Sequence, residues 1–360
     1  MIKETIKEIK PFDRKIYNKA MERLANQARP AGSLGMLEPV SARLAGIAKT
    51  LDVKLKNKVV VICAGDHGIV AEGVSLFPQE VTAQMVHNFV NGNASINVLA
   101  RHAGAEVKVA DMGVNFDFEP DLPIFHKKIR KGTGNFAVEP AMTKEEAVKS
   151  IEAGISIINK LMSEKNVDIL GTGDMGIGNT TPSSAIIAVF SGIDVEKLTG
   201  RGTGINDKTL KHKVKIIKKG IELHNPDPED PIDILAKVGG FEIGALAGLV
   251  LGAASNSIPV VCDGLISTAG ALIACELAPH SRDYLFASHR SVEAGHQFMF
   301  KRLGLEPLLD LNFRLGEGTG AAMAMELLDA STRMLAEIKT FEEVCIDDVQ
   351  KNNGCLPDHS

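Results

Sequence analysis

From Val59 onward, short β-branched runs alternate with longer stretches of helical period. The runs stop on small or polar residues: Val59-Val60-Val61-Ile62-Cys63-Ala64-Gly65-Asp66-His67, Val107-Lys108-Val109-Ala110-Asp111, Ile169-Leu170 leading to Asp174, Pro259-Val260-Val261-Cys262-Asp263-Gly264, and Tyr284-Leu285-Phe286-Ala287-Ser288-His289. Apolar runs of this kind predict strands covered on both faces, as in a parallel sheet whose crossovers are the helical stretches between them. In a doubly wound sheet the carboxyl ends of the strands line one crevice, so these polar ends converge on one edge. An Asp or Ser after a strand also serves as a plain helix cap, but so many such ends together favour a site.

Elsewhere the periodicity predicts helices over 14 to 28 and 36 to 51, separated by Pro30-Ala31-Gly32-Ser33-Leu34-Gly35. Thr143 and Glu146 have capping-box spacing and open a helix to about Met162. The apolar run Ile243 to Ala254 has the length of a core helix and is too short to span a bilayer. Residues 318 to 338 form a last long helix, Asn225 to Pro231 is a loop, and the tail beyond Asn352 is expected to fray.

The stretch Gly171-Thr172-Gly173-Asp174-Met175-Gly176-Ile177-Gly178-Asn179-Thr180-Thr181-Pro182 places glycines between a strand and an apolar segment, Ala185 to Phe190, of helical character. Glycines let backbone N–H groups approach an anion, and a helix start adds unpaired donors and the positive end of its dipole. Such turns also occur for packing alone, so by itself this motif leaves both readings open. Asn206 to Leu223 is lysine-rich. At about 100° per residue, Lys208, Lys211, Lys215, Lys218 and Lys219 form one stripe and Leu210, Val214, Ile217 and Ile221 the opposite one. Lys213 belongs to neither and borders the apolar face, from which its ammonium either snorkels out or turns inward to an anion. Gly200-Arg201-Gly202-Thr203-Gly204 is either a second anion loop or a flexible connection.

Leu315-Gly316-Glu317-Gly318-Thr319-Gly320 sets one carboxylate among glycines just before the last helix. Glycines there suggest close approach of a ligand, and a Glu at a helix start is expected to keep a low pKa, which suits it to a fairly acidic proton. The plain alternative is a Glu placed to suit the helix dipole.

Composition narrows the class. The 360 residues are 44% hydrophobic but only 4% aromatic, without Trp and with 34 glycines, which suits a large parallel α/β core. A net charge of -5 without a basic run argues against a nucleic-acid partner. Met1 to Glu8 is charged throughout and lacks the apolar core of a secretory signal, so a cytoplasmic protein without membrane attachment is expected. The five cysteines form no C-x-x-C pair and the ten histidines no H-E-x-x-H, so neither a disulfide nor a metal site is expected. Residue by residue, the chain reads as an α/β protein binding a phosphorylated small molecule, with Glu317 as candidate base.

Several irregular phrases together carry a resemblance: Arg29-Pro30-Ala31-Gly32-Ser33-Leu34-Gly35-Met36-Leu37-Glu38, Gly65-Asp66-His67-Gly68, Gly73-Val74-Ser75 with Pro78 and Val81-Thr82, Gly173 to Thr181, Lys237-Val238-Gly239-Gly240-Phe241, and Arg314 to Gly320. In order over roughly residues 29 to 328, they resemble the nicotinate-nucleotide:dimethylbenzimidazole phosphoribosyltransferase family. The resemblance implies a homodimer with a Rossmann-like large domain over 57–328 and a small helical domain from both chain ends, 1–56 and 329–360. It implies transfer of the phosphoribosyl group of nicotinate mononucleotide to a benzimidazole, with no cofactor, to make α-ribazole phosphate for the lower ligand of cobalamin.

The resemblance also assigns residues. The catalytic Glu falls on Glu317, and a second acidic position, Glu in many members, on Asp174. Phosphate and ribose positions fall on Gly176, Gly178, Asn179, Thr180, Gly202, Gly204, Lys213, Asp263, Gly264 and Ser291. The base pocket falls on Phe77, Pro78, Val81, Gln84, Met85 and Leu315, with Phe77 and Met85 apolar where some members are polar. Two other readings stand beside this one: a non-catalytic nucleotide-binding protein, and an enzyme of the same class with adenine or a phenol as acceptor.

Overall fold

The computed structural model describes residues 1–345. Seven parallel strands form one sheet: β1 (Lys58–Gly65), β2 (Ala105–Gly113), β3 (Phe125–His126), β4 (Ile169–Met175), β5 (Val260–Cys262), β6 (Leu285–His289) and β7 (Pro307–Leu309). Their order, β3-β2-β1-β4-β5-β6-β7, reverses direction between β1 and β4. This is the doubly wound α/β architecture, and the reversal is its topological switch point. β1 is buried along its whole length, which accounts for its unbroken apolar run. The short edge strands β3 and β7 have too little periodicity to be seen in the sequence. β2 starts earlier and ends later than expected because pairing with β1 recruits Ala105, Glu106 and Gly113, with Met112 passed over at a register shift.

The helix Phe241–Ser255 is buried on nearly every face. It lies close against Lys144–Glu164 because a Cβ on Gly248 would overlap the Ile151 carbonyl and one on Gly154 the Ala245 carbonyl. Lys144–Glu164 begins as its sequence demands: Glu146 N–H donates to Thr143 Oγ1 at 3.1 Å and Thr143 N–H to Glu146 Oε2 at 2.9 Å. Among the described residues no helix is long and apolar enough to cross a membrane.

The chain divides into two compact units. The larger takes Met1–Pro11 and Lys56–Met325, so the first helix, Ile2–Glu8, belongs to it and not to the small domain where the expected 1–56 boundary put it. The smaller takes Phe12–Leu55 and the chain from Glu326, and the boundary falls inside the helix Thr319–Glu337. Within the smaller unit the first expected helix is shorter, Arg14–Ala25, and Gln27 leaves it to bridge to Thr340. The second is Leu37–Ala48, stopped by Lys49 in the left-handed region. The Arg29 to Glu38 phrase is structural: Glu38 Oε1 accepts from Arg29 Nη1 at 2.6 Å and from Leu34 N–H at 3.2 Å, so the pair closes the turn. The tail beyond Asn352 lies outside the described residues.

Candidate active site

At the carboxyl ends of β1, β4, β5 and β6, within the larger unit, lies a cavity of about 390 Å³. Fourteen residues singled out in the sequence line it. They are Asp174, Gly176, Gly178, Asn179, Thr180, Gly202, Lys213, Gly264, Ser291 and Glu317, together with the apolar Phe77, Val81, Met85 and Leu315. Four do not. Pro78, Gln84 and Gly204 are exposed outside it, and Asp263 is buried behind the wall.

The glycine turn after β4 ends where the helix Thr180–Ser191 starts, and Gly178 has φ 90°, a conformation that needs glycine. The turn is fastened from the side by Ile177 N–H, which donates to Thr82 Oγ1 at 3.2 Å. Lys213 points inward. It is 1% exposed, and its Nζ donates to Thr180 Oγ1 at 2.7 Å. The buried face of its helix, Asp207–His224, is Lys213, Ile216, Ile217 and Gly220, rotated from the stripe expected through Leu210, Val214 and Ile221. Gly220 explains the rotation, because Phe136 packs where a Cβ would stand. Burial lowers the Lys213 pKa to about 8, with nearby Glu293 opposing the shift. Glu293 is a site residue the sequence reading missed. Its Oε1 accepts from Gly202 N–H at 2.8 Å, and Gly200 must lack a Cβ to clear it, so this carboxylate holds the 200–204 loop against the cavity.

Glu317 is 6% exposed and has φ 63°, and its Oε2 has no hydrogen-bond partner. Burial raises its pKa above the ordinary value, and the Ile96 N–H at the start of the helix Ser95–His102 offsets part of that. This corrects the low pKa expected from the start of its own helix, because desolvation outweighs the dipole. The glycine setting also differs from the expectation of ligand approach. Gly316 lines the cavity, but Gly318 and Gly320 face protein, Gly318 against Val60 and Gly320 against the His289 ring.

Asp263 clamps this loop and does not reach the cavity. Its Oδ2 accepts from Gly318 N–H at 3.1 Å, and its Oδ1 from Gly320 N–H at 2.7 Å and Ala321 N–H at 3.1 Å. Burial drives its pKa up to about 7 even against those donors. Asp174 accepts from Asn179 Nδ2 at 2.9 Å through Oδ2, while its Oδ1 has no partner. Burial, then the charge of Asp263, holds its pKa well above the carboxylate range.

Behind the glycine turn sits a polar pair of which the sequence reading singled out His67 but missed Glu242. His67 Nε2 and Glu242 Oε1 are 2.7 Å apart, both fully buried. A Cβ on Gly176 would come within 3.3 Å of His67 Nε2, so the ring backs the turn directly. Burial alone would lower the His67 pKa; the charge and hydrogen bond of Glu242 outweigh it and the pKa is raised. The sequence signal was a carboxylate heading an otherwise apolar run. On the opposite wall, Ser291 N–H donates to His296 Nδ1 at 3.1 Å, which puts the ring proton on Nε2, facing Thr268 Oγ1 at 2.9 Å. Burial lowers the His296 pKa to about 3 and that of His289, which lines the cavity, to about 4, so both rings are neutral.

The geometry joins a glycine turn at a helix start with a buried lysine, a set of apolar walls and a carboxylate with one unpartnered oxygen. The chain's likenesses agree with that set. A family model described as "Phosphoribosyltransferase" matches residues 9–346. The nicotinate-nucleotide--dimethylbenzimidazole phosphoribosyltransferase of Geobacter sp. (strain M21) is 57% identical over 343 residues, 95% of this chain and 98% of that one. That of Geobacter sulfurreducens is 55% identical over 343 residues, 95% and 97% respectively. The crystal structure of CobT from Thermus thermophilus superposes with a TM-score of 0.89 at 42% identity, covering 93% of this chain and 99% of that one.

Proposed function

The chain belongs to the phosphoribosyltransferase family, and from that premise we propose that it transfers the phosphoribosyl group of nicotinate mononucleotide to 5,6-dimethylbenzimidazole, giving α-ribazole 5'-phosphate and nicotinate for the lower ligand of cobalamin. The observation that carries the reading is one cavity in which Lys213 and the 176–180 turn, the apolar Phe77, Val81, Met85 and Leu315, and the uncommitted Glu317 all meet. In the nucleotide the pyridinium is a cationic leaving group, so it departs with the bonding electrons as a neutral ring nitrogen and needs no general acid. One benzimidazole nitrogen attacks C1' from the opposite face and inverts β to α. Its other N–H becomes acidic as positive charge develops, and Glu317 takes that proton. A carboxylate whose pKa is raised by burial is a stronger base than an exposed one, provided the working pH keeps it ionised. Lys213 and the glycine turn hold the phosphoribosyl group in line, so much of the acceleration comes from orientation. Release of nicotinate on mixing nicotinate mononucleotide with the base, and a product of the mass of α-ribazole phosphate, tests the whole reading. Binding of the nucleotide without turnover would make the chain a nucleotide-binding protein only.

Lys213→Ala is expected to weaken nicotinate mononucleotide more than nicotinic acid riboside. For the wild type, the KM of the nucleotide should rise as pH passes about 8, where the lysine of the free enzyme loses its proton. A KM flat through pH 9, or equal losses on both substrates in the variant, would place this lysine away from the phosphate.

The acceptor walls offer area and dispersion but few fixed polar partners. A methyl group is worth about 1–3 kcal/mol of discrimination in such a pocket, so unsubstituted benzimidazole is expected within roughly two orders of magnitude of the dimethyl base. Adenine is expected to be poorer, because its exocyclic amine loses water without gaining a partner. Comparison of kcat/KM for the three at saturating nucleotide checks this, and a phenol as fourth acceptor tests attack through oxygen; adenine matching the benzimidazoles would contradict these walls. The same proposal includes a cytoplasmic location and a homodimer, the dimer supported by the exposure of Leu76 and Leu311. Sedimentation at the mass of a monomer at working concentration would remove the dimer from it.

A further inference from the structure

We infer that Thr82 is a positioning residue that fixes the spacing between the two substrates: its buried hydroxyl ties the glycine turn that holds the phosphoribosyl group to the helix that walls the acceptor base. This rests on the proposed transfer between those two half-sites. The helix Glu80–Val90 presents two adjoining faces to its surroundings. Val81 and Met85, four residues apart, line the cavity, while Thr82, Val86 and Phe89 are buried. A helical threonine ordinarily donates its hydroxyl back to its own helix, as Thr268 Oγ1 does to the Gly264 carbonyl at 2.8 Å. Thr82 is used differently. Its Oγ1 accepts from Ile177 N–H at 3.2 Å, and its hydroxyl faces the carboxylate of Asp66, the residue that follows β1. Asp66 Oδ2 itself accepts from Asn115 N–H at 2.8 Å, so the hydroxyl is oriented by a carboxylate that is held in place.

Both ends of the Thr82–Ile177 bond stand one residue from groups assigned to a substrate. Ile177 lies between Gly176 and Gly178, and Thr82 follows Val81. The turn's other supports lead elsewhere: the His67 ring stands behind Gly176, and a Cβ on Gly178 would meet Val70 Cγ2 at 2.6 Å. Attack on C1' needs the nucleophilic nitrogen in line at about 3–3.5 Å, and a misplacement of about 1 Å can cost about 100-fold in rate. Apolar walls grip a flat base through area and give it little direction, so the aim of the base follows the placement of its wall against the turn. Loss of the hydroxyl leaves Ile177 N–H buried without a partner, and the turn and the helix must part to let water satisfy it. Each half-site keeps its own contacts, since Lys213 stays with Thr180 at the turn and Val81 and Met85 stay on their helix. The loss therefore falls on kcat more than on the binding of either substrate alone.

The test measures kcat for nicotinate mononucleotide with 5,6-dimethylbenzimidazole, and the calorimetric dissociation constant of each substrate alone, in wild type, Thr82→Val and Thr82→Ser. Thr82→Val keeps the shape and removes the hydroxyl. It is expected to lower kcat about 10- to 100-fold while both dissociation constants stay within about threefold. Thr82→Ser keeps the hydroxyl and should hold kcat within about threefold of the wild type. A merely structural role gives different results. Weakened binding of either substrate in step with kcat, or Thr82→Ser as slow as Thr82→Val, would overturn the inference, and so would a Thr82→Val kcat within about threefold of the wild type. If Thr82→Val does not fold, Thr82→Ala also lacks the hydroxyl and is read by the same outcomes. A wild type that releases no nicotinate would take the proposed reaction and this inference with it, whereas a normal kcat in the variant beside an active wild type defeats this inference alone.

Discussion

Glu317→Gln is expected to lower kcat by about 10²- to 10⁴-fold while the dissociation constant of nicotinate mononucleotide stays within about threefold, because the amide keeps the shape and hydrogen bonds and cannot take a proton. A loss of less than about tenfold would end the general-base assignment. The pH profile gives an independent check. Burial raises the Glu317 pKa, so the acid limb of kcat/KM should lie above the 4.5 of an ordinary Glu, with activity rising as pH climbs through it. Asp174, whose pKa is also raised and which interacts with Glu317, titrates in the same cluster, so the limb reports the coupled set and not one residue. In Glu317→Gln the residual rate should lose that dependence on deprotonation.

Glu242→Ala is expected to destabilise the fold by about 3–5 kcal/mol, the usual loss when one member of a buried ion pair is removed and the other is left without a partner. The partner is His67, fully buried, with the other ring nitrogen, Nδ1, already lacking a hydrogen bond. The pH dependence has a definite sign. The folded-state pKa of His67 is raised above 6.5, so the stability it draws from Glu242 is complete below that value and is lost as pH rises through the folded pKa. The difference in unfolding free energy between wild type and variant, from denaturant melts at several pH values, should therefore be largest on the acid side. A difference that grows with pH would mean the pair is not a charged one. Since the ring backs Gly176, the variant should also bind nicotinate mononucleotide more weakly at temperatures where it remains folded.

The site was legible where chemistry needs a rare local pattern. The run from Gly173 to Thr181 reads as an anion turn because few backbones tolerate so many glycines before a helix, and it lies on the cavity. Glu317 was legible for the same reason, although its setting was misread: Gly318 and Gly320 make room for Val60 and His289, not for a ligand. Asp263 shows the limit of residue type as a guide. A carboxylate after a strand serves equally to face a substrate or to cap a loop, and three backbone donors decide for the loop here. Glu293 and Glu242 were passed over because each stands alone in its segment, and its meaning comes from partners distant in the chain.

The alternation of apolar runs and helical stretches was enough to specify a parallel α/β sheet, since strands buried on both faces can be nothing but apolar throughout. Local rules likewise settled the Thr143 cap and the inward glycine turn, because caps and turns are made by neighbours in sequence. What local rules could not supply was the order of strands that sets the switch point between β1 and β4, and with it the meeting of Asp174 and Glu317 with Lys213. Nor could they supply the degree of burial. Desolvation depends on what packs from every side, and it turns Glu317 into a stronger base than its helix start alone would allow and brings the Lys213 pKa down to about 8.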